Sequence, residues 1–149
     1  MSPWNYGVLS VFSVRRRMLL NRFKKVSLVT YEDFRGTLAL LDKEIFTRYS
    51  RLFVVHNVND RESIRGNHAH RVSSQFLICL KGEIEVELFD GKTTTTIKLT
   101  QIGDSVEVAP LIWSWQTYSK DSLLLVLTDT DYSESEYINS MREFLELVR

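Results

Sequence analysis

Glu83-Ile84-Glu85-Val86-Glu87-Leu88-Phe89-Asp90-Gly91-Lys92-Thr93-Thr94-Thr95-Thr96-Ile97-Lys98-Leu99 is the stretch that decides the fold class. From Glu83 to Phe89 charged and apolar side chains alternate. Glu83, Glu85 and Glu87 fall on one face and Ile84, Val86 and Leu88 on the other, which is the period of a half-buried strand. Asp90-Gly91 supplies the turn chemistry of a β-hairpin, and residues 93–99, opening with the β-branched Thr93–Thr96, return antiparallel. Working outward, further β-rich runs lie at residues 26–29, 52–55, 105–108 and 122–128. Residues 38–46 read as a helical turn or a loop, and a polar, aromatic-rich loop follows Pro110. Short strands at hairpin spacing predict a sandwich or barrel. The chain closes differently. Ser133 with Glu136 reads as a capping box, and Tyr137, Ile138, Met141, Phe144, Leu145 and Val148 share one helical stripe. The expectation is an all-β barrel followed by a short C-terminal α-helix.

The chain has 149 residues, enough for one domain with a real core. Lys plus Arg and Asp plus Glu both number 19, and 44% of residues are hydrophobic. That balance argues against disorder and against nucleic-acid binding by bulk positive charge. Residues 1–25 nevertheless carry six basic and no acidic side chains, and residues 129–149 carry six acidic and two basic ones. The apolar residues 4–14 precede Arg15, Arg16 and Arg17, the reverse of a secretory signal, and are too short to span a bilayer. No membrane or nucleic-acid partner is expected. With a single cysteine, Cys79, no intrachain disulfide can form, so a cytoplasmic location is expected. Residues 1–22 are read as an N-terminal extension and residues 23–149 as the folded domain.

All three histidines, His56, His68 and His70, lie within fifteen residues. On a strand, His68 and His70 point to the same face and present two imidazoles side by side, an arrangement suited to metal binding or proton transfer. His68-Ala69-His70, four residues, Gln75, six residues and Gly82 reproduce the spacing of a cupin motif. In metal-binding cupins the residue at Gln75 is usually Glu, and a further His stands five residues after a proline. Five residues after Pro110 is Trp115, whose indole has no lone pair for a cation. No tightly bound metal is therefore expected. Imidazoles free of metal exchange protons near neutral pH, and Arg65, three residues before His68, is a candidate for an anionic substrate group or a developing oxyanion.

Arg65-Gly66-Asn67-His68-Ala69-His70, the run from Gln75 to Gly82, Pro110-Leu111-Ile112-Trp113, and a tail with Asp131-Tyr132, Ser133, Tyr137-Ile138 and Glu143-Phe144-Leu145 resemble the WxcM-like sugar-nucleotide 3,4-ketoisomerases. The resemblance covers roughly residues 23–148. It implies a cupin fold, a double-stranded β-helix or jelly-roll barrel, and a homodimer. It also implies cofactor-free isomerisation of dTDP-4-keto-6-deoxyglucose to the 3-keto sugar, on the way to a 3-amino-3,6-dideoxyhexose. By the same resemblance His68 and His70 are the proton-transfer groups, with His70 the first choice for the carbon acid. Arg65, His56, Asn67, Gln75, Trp113, Trp115 and Tyr132 are the substrate-binding candidates.

Two departures stand out. Many members carry tyrosine near the position of His56, which is here either a titrating substitute or a plain strand residue. Ser114 and Trp115 follow Trp113 where members tend to be charged or polar, a change that would alter the pocket wall. Another proton-shuffling reaction on a dTDP-sugar, such as epimerisation, and a non-catalytic sugar-nucleotide-binding cupin are the alternatives. Cys79, among Leu77, Ile78 and Leu80, reads as a small buried apolar residue rather than a nucleophile.

Overall fold

A computed structural model describes residues 22–59 and 63–149. The extension read over residues 1–22 lies, Arg22 apart, outside them. In chain order the strands are β1 (Phe23–Ser27), β2 (Val29–Asp33), β3 (Gly36–Leu40), β4 (Arg51–Val55), β5 (Arg65–His70), β6 (Gln75–Lys81), β7 (Ile84–Phe89), β8 (Thr94–Leu99), β9 (Asp104–Val108), β10 (Trp113–Tyr118), β11 (Leu123–Thr128) and β12 (Tyr137–Ile138). Helix α1 (Lys43–Phe46) lies between β3 and β4, and α2 (Met141–Leu147) follows β12. Two five-stranded antiparallel sheets, ordered β1-β9-β6-β11-β4 and β12-β5-β10-β7-β8, face each other as a jelly-roll barrel.

The hairpin that decided the fold class is β7–β8, with Ile84 opposite Leu99, Val86 opposite Ile97 and Leu88 opposite Thr95. Its apolar face enters the barrel core beside Leu77, Cys79, Val106, Leu124 and Val126. Removing each such aliphatic side chain from water contributes ~1.5–3 kcal/mol, which is what closes the barrel. Cys79 is fully buried there, its thiol donates to the Gly82 carbonyl, and burial pushes that thiol above its ordinary pKa. The β6–β7 turn needs glycine. At Gly82 φ is +79°, and a Cβ would stand 2.4 Å from Ser122 Oγ.

Strand β6 is buried on both faces. Leu77 and Cys79 point inward, while Phe76 and Ile78 pack outward with Leu127 under Leu41, Ile45 and Tyr49. A further seam lies outside the second sheet, where Ala69, Trp113, Ile138 and Phe144 are buried together. Helix α2 closes this seam through Phe144, whose ring lies 5.6 Å from Trp113 and 5.9 Å from Phe89.

Three elements differ from the sequence expectation. The closing helix begins at Met141 with Ser140 as its N-cap, the hydroxyl accepting from Glu143 N–H, whereas Ser133 makes no side-chain cap. Tyr137 and Ile138 instead pair with His70 and Ala69, because an extended segment here extends the second sheet. Residues 38–46 divide between the end of β3 and α1, and the loop expected after Pro110 is largely strand β10. Its inner face carries buried Ser114 and Gln116, and this polar lining hid the strand period. Strands β2 and β3 form a separate two-stranded sheet in which Val29, Tyr31, Leu38 and Leu40 are all about half exposed.

Candidate active site

Strand β5 carries the histidines, and its irregular first half aims them. Gly66 (φ +77°) and Asn67 (φ +59°) both adopt left-handed backbone, and the pairing with β10 shifts between Ser114 and Trp115. A Cβ on Gly66 would lie 3.0 Å from the Gln116 amide and from the Ser114 carbonyl, so glycine lets the two strands approach. Past this bulge the alternation is regular. Ala69 enters the outer seam, so His68 and His70 face the barrel interior.

The two imidazoles meet edge to face with ring centroids 5.0 Å apart. Tyr137, opposite His70 in the β5–β12 register, covers both, its ring 4.9 Å from His68 and 4.7 Å from His70. The tail that delivers Tyr137 is fastened to β5. Arg71 donates to the Ser135 carbonyl and pairs with Glu143, and Glu136 accepts the backbone N–H groups of Val72 and Ser73. Tyr132 stands 5.9 Å from Tyr137, at the mouth.

Hydrogen bonds set the protonation of the pair. His68 Nδ1–H donates to the Gly66 carbonyl at 3.0 Å, which leaves its Nε2 lone pair available. Gln75 Nε2 lies 2.9 Å from His70 Nε2, so in this arrangement the amide donates and the His70 proton sits on Nδ1. His70 Nδ1 is buried with no hydrogen-bond partner among the described residues. An amide differs from a carboxylate here: turned over, it accepts from Nε2–H, so Gln75 serves either tautomer of a ring that gives and takes protons. Burial, then the charges of His68 and Arg51, push the His70 pKa down to about 4 against the opposing pull of Asp129. Burial also lowers His68, partly offset by the Gly66 carbonyl. Both rings are therefore neutral at pH 7: His68 presents a free Nε2 as a base in this arrangement, and His70 presents Nδ1 once the Gln75 amide turns to accept from Nε2–H.

The sequence candidates divide by position. His68, His70, Gln75 and Tyr132 come together at the barrel mouth. Asn67, Trp113 and Trp115 belong to the other side of the sheet: Trp113 Nε1–H donates to Asn67 Oδ1 at 3.1 Å, and both indoles pack in the seam under α2. That packing is the alternative to substrate stacking for these two aromatics. Arg65 opens β5 at the end away from His70, where its charge is felt by the buried Tyr118 hydroxyl. His56 is exposed just beyond β4, five residues or ~16 Å of strand from Arg51. The site also gathers Arg51 and Tyr137, which sequence reasoning missed. Tyr137 was placed on the helical stripe, and only its spacing from the Ser140 cap would have separated it. Arg51 had one signal, a cation opening an apolar strand.

The donor set at the mouth is two imidazoles and a neutral amide. Among the described residues no group of three or more His, Cys, Asp or Glu side chains is placed to hold a metal ion. Also among them, no helix is long and apolar enough to cross a membrane.

A jelly-roll barrel with two inward imidazoles at its mouth defines a cupin-type protein whose site is suited to proton exchange. The family described as FdtA: WxcM-like, C-terminal matches residues 21–149, and the chain belongs to it. It is 30% identical over 129 residues to the TDP-4-oxo-6-deoxy-alpha-D-glucose-3,4-oxoisomerase of Aneurinibacillus thermoaerophilus, covering 85% of this chain and 88% of that protein. A 3,4-ketoisomerase from Helicobacter canadensis superposes with a TM-score of 0.78 at 31% identity, covering 85% of this chain and 96% of that one. The TDP-fucose-3,4-ketoisomerase WlaRA of Campylobacter jejuni superposes with a TM-score of 0.77 at 32% identity, covering 87% and 97%. The resemblance carried by residues 65–82 and by the tail is thereby established.

Proposed function

We propose that this protein is a sugar-nucleotide 3,4-ketoisomerase that converts dTDP-4-keto-6-deoxyglucose to its 3-keto isomer within biosynthesis of a dTDP-3-amino-3,6-dideoxyhexose. The observation that carries the reading is the neutral His68–His70 pair, with His70 held by an amide that tolerates either tautomer. The ketoisomerase relatives support the substrate class.

In the reaction the Gln75 amide turns to accept from Nε2–H, and His70 Nδ1 takes the proton from C3, made acidic by the C4 carbonyl, while O4 gains a proton to give the enediol. A proton delivered to C4, with loss of the O3 proton, completes the 3-ketone. Protons and electrons balance within the sugar, since one carbon is oxidised as its neighbour is reduced. His68, with a free Nε2 lone pair 5.0 Å ring to ring from His70, carries the second proton transfer. Tyr132 and Gln75 line the sugar's approach, and Arg65 and His56 serve its more distant groups.

Residues 23–149 form the catalytic domain in this reading, with residues 1–22 an extension of it. The protein acts as a homodimer. The detached β2–β3 hairpin, apolar and half exposed, supports this, as does the edge of β4, unpaired among the described residues. The absence of any disulfide, with Cys79 buried, supports a cytoplasmic location.

Proton NMR of dTDP-4-keto-6-deoxyglucose incubated with the protein in deuterated buffer tests the function. The expected result is a 3-keto product carrying deuterium at C4. Exchange at C5 without ketone movement would indicate an epimerase, and binding without any exchange would indicate a sugar-nucleotide-binding cupin.

A further inference from the structure

Across the first sheet, Arg51, Thr128 and Gln75 occupy one row, since Arg51 pairs with Thr128 on β11 and Thr128 pairs with Gln75 on β6. Side chains aligned in this way point to the same face. Gln75 reaches His70 on that face, and Arg51 stands two strands away, ~10 Å along the row. One small cavity is lined by Arg51, His70, Thr128, Tyr132 and Tyr137 together.

The guanidinium is held by faces rather than by a counter-charge. Its Cζ lies 5.3 Å from the Phe53 ring centroid and 5.4 Å from that of Tyr132. Its Nε is buried with no hydrogen-bond partner among the described residues. Of the carboxylates nearby, Asp131 lines the same cavity without forming an ion pair with Arg51, and the other two are engaged elsewhere. Asp129 accepts the Ser74 backbone N–H at 2.8 Å, and Glu136 accepts those of Val72 and Ser73. A cation that lines the cavity holding the base, and that forms no ion pair among the described residues, is placed to receive a negative oxygen.

We propose that Arg51 is a catalytic residue of the isomerisation, donating from its guanidinium to O4 of the sugar as negative charge develops there during removal of the C3 proton. The inference rests on the ketoisomerase reading. Charge appears on O4 at the moment His70 takes the proton, so a cation sharing the cavity with His70 stabilises the transition state more than the bound ketone. Phe53 and Tyr132 orient the planar group without neutralising it.

The test is steady-state isomerisation by the wild-type protein, Arg51→Met and Arg51→Lys, with TDP affinity measured by calorimetry and folding followed by thermal unfolding. For Arg51→Met the expected result is a fall in kcat of ~10²–10³-fold, with KM and TDP affinity changed much less. Added guanidinium ion restores part of that rate, which a purely structural role would not allow. Arg51→Lys keeps the charge but not the planar fork, and is expected to lose at least ~10-fold in kcat while folding normally, so it decides the matter if Arg51→Met does not fold. A kcat within threefold of wild type in the folded variants overturns the inference and leaves the ketoisomerase reading standing. A wild-type protein that forms no 3-keto product overturns both.

Discussion

The side-chain amide of Gln75 stands 2.9 Å from Nε2 of His70, at the position where metal-binding barrels of this kind usually place a carboxylate. A carboxylate would favour the imidazolium and supply an anionic metal ligand. The neutral amide does neither. It orients the ring, satisfies Nε2 in either protonation state and lets burial hold the imidazole neutral.

Gln75→Glu should therefore raise the His70 pKa, because an adjacent negative charge stabilises the protonated ring. A proton NMR titration of the His70 ring should show a midpoint above that of the wild type, and the acid limb of the pH–rate profile should move up with it. An unchanged midpoint would mean that the amide contact does not govern His70.

His70 also makes stability depend on pH. In the unfolded chain it takes up a proton near 6.5, and in the folded protein only near about 4. Between those values the unfolded state binds more protons, so stability is complete above pH 6.5 and declines as pH falls toward 4. At ~1.4 kcal/mol per unit the contribution is on the order of 3 kcal/mol. Urea unfolding across this range should show a steeper loss for wild type than for His70→Asn; parallel curves would count against a buried neutral imidazole.

Trp113 is 3% exposed in the seam between the second sheet and α2. Trp113→Ala should cost about 3–5 kcal/mol of stability. It should leave KM for the sugar nucleotide within a few-fold of wild type at temperatures where the variant is folded. A large KM rise with little loss of stability would instead assign the indole to the substrate.

Tyr31 and Leu38 face each other across the β2–β3 hairpin, 50% and 61% exposed. Replacing both by lysine removes the apolar pair without touching the barrel core. Light scattering should then report the mass of one chain in place of two, with the barrel still unfolding cooperatively. A dimer that persists would place the interface elsewhere.

The barrel was legible wherever one strand face was apolar and the other polar, as at Ile84, Val86 and Leu88 on β7. It was hidden at β10, because Ser114 and Gln116 line the interior where the period leads one to expect aliphatic residues. Polar lining marks the site and blurs the strand at the same time. His68, His70 and Gln75 were readable because their spacing is local. Arg51 and Tyr137 were not, since they join the site through β4–β11 and β5–β12 pairings that no local pattern encodes. The Ser133–Glu136 spacing matched a capping box, but the sheet pairing of Tyr137 outweighed it.

The central claim, that His70 removes the C3 proton, is tested most directly by loss of label from dTDP-4-keto-6-deoxyglucose deuterated at C3, followed by NMR in ordinary water. The wild-type protein is expected to release the label as the 3-keto product forms. His70→Asn, still able to bind the nucleotide sugar, is expected to retain it. Release by His70→Asn at the wild-type rate would contradict the assignment and pass the role of base to another group at the mouth, His68 first.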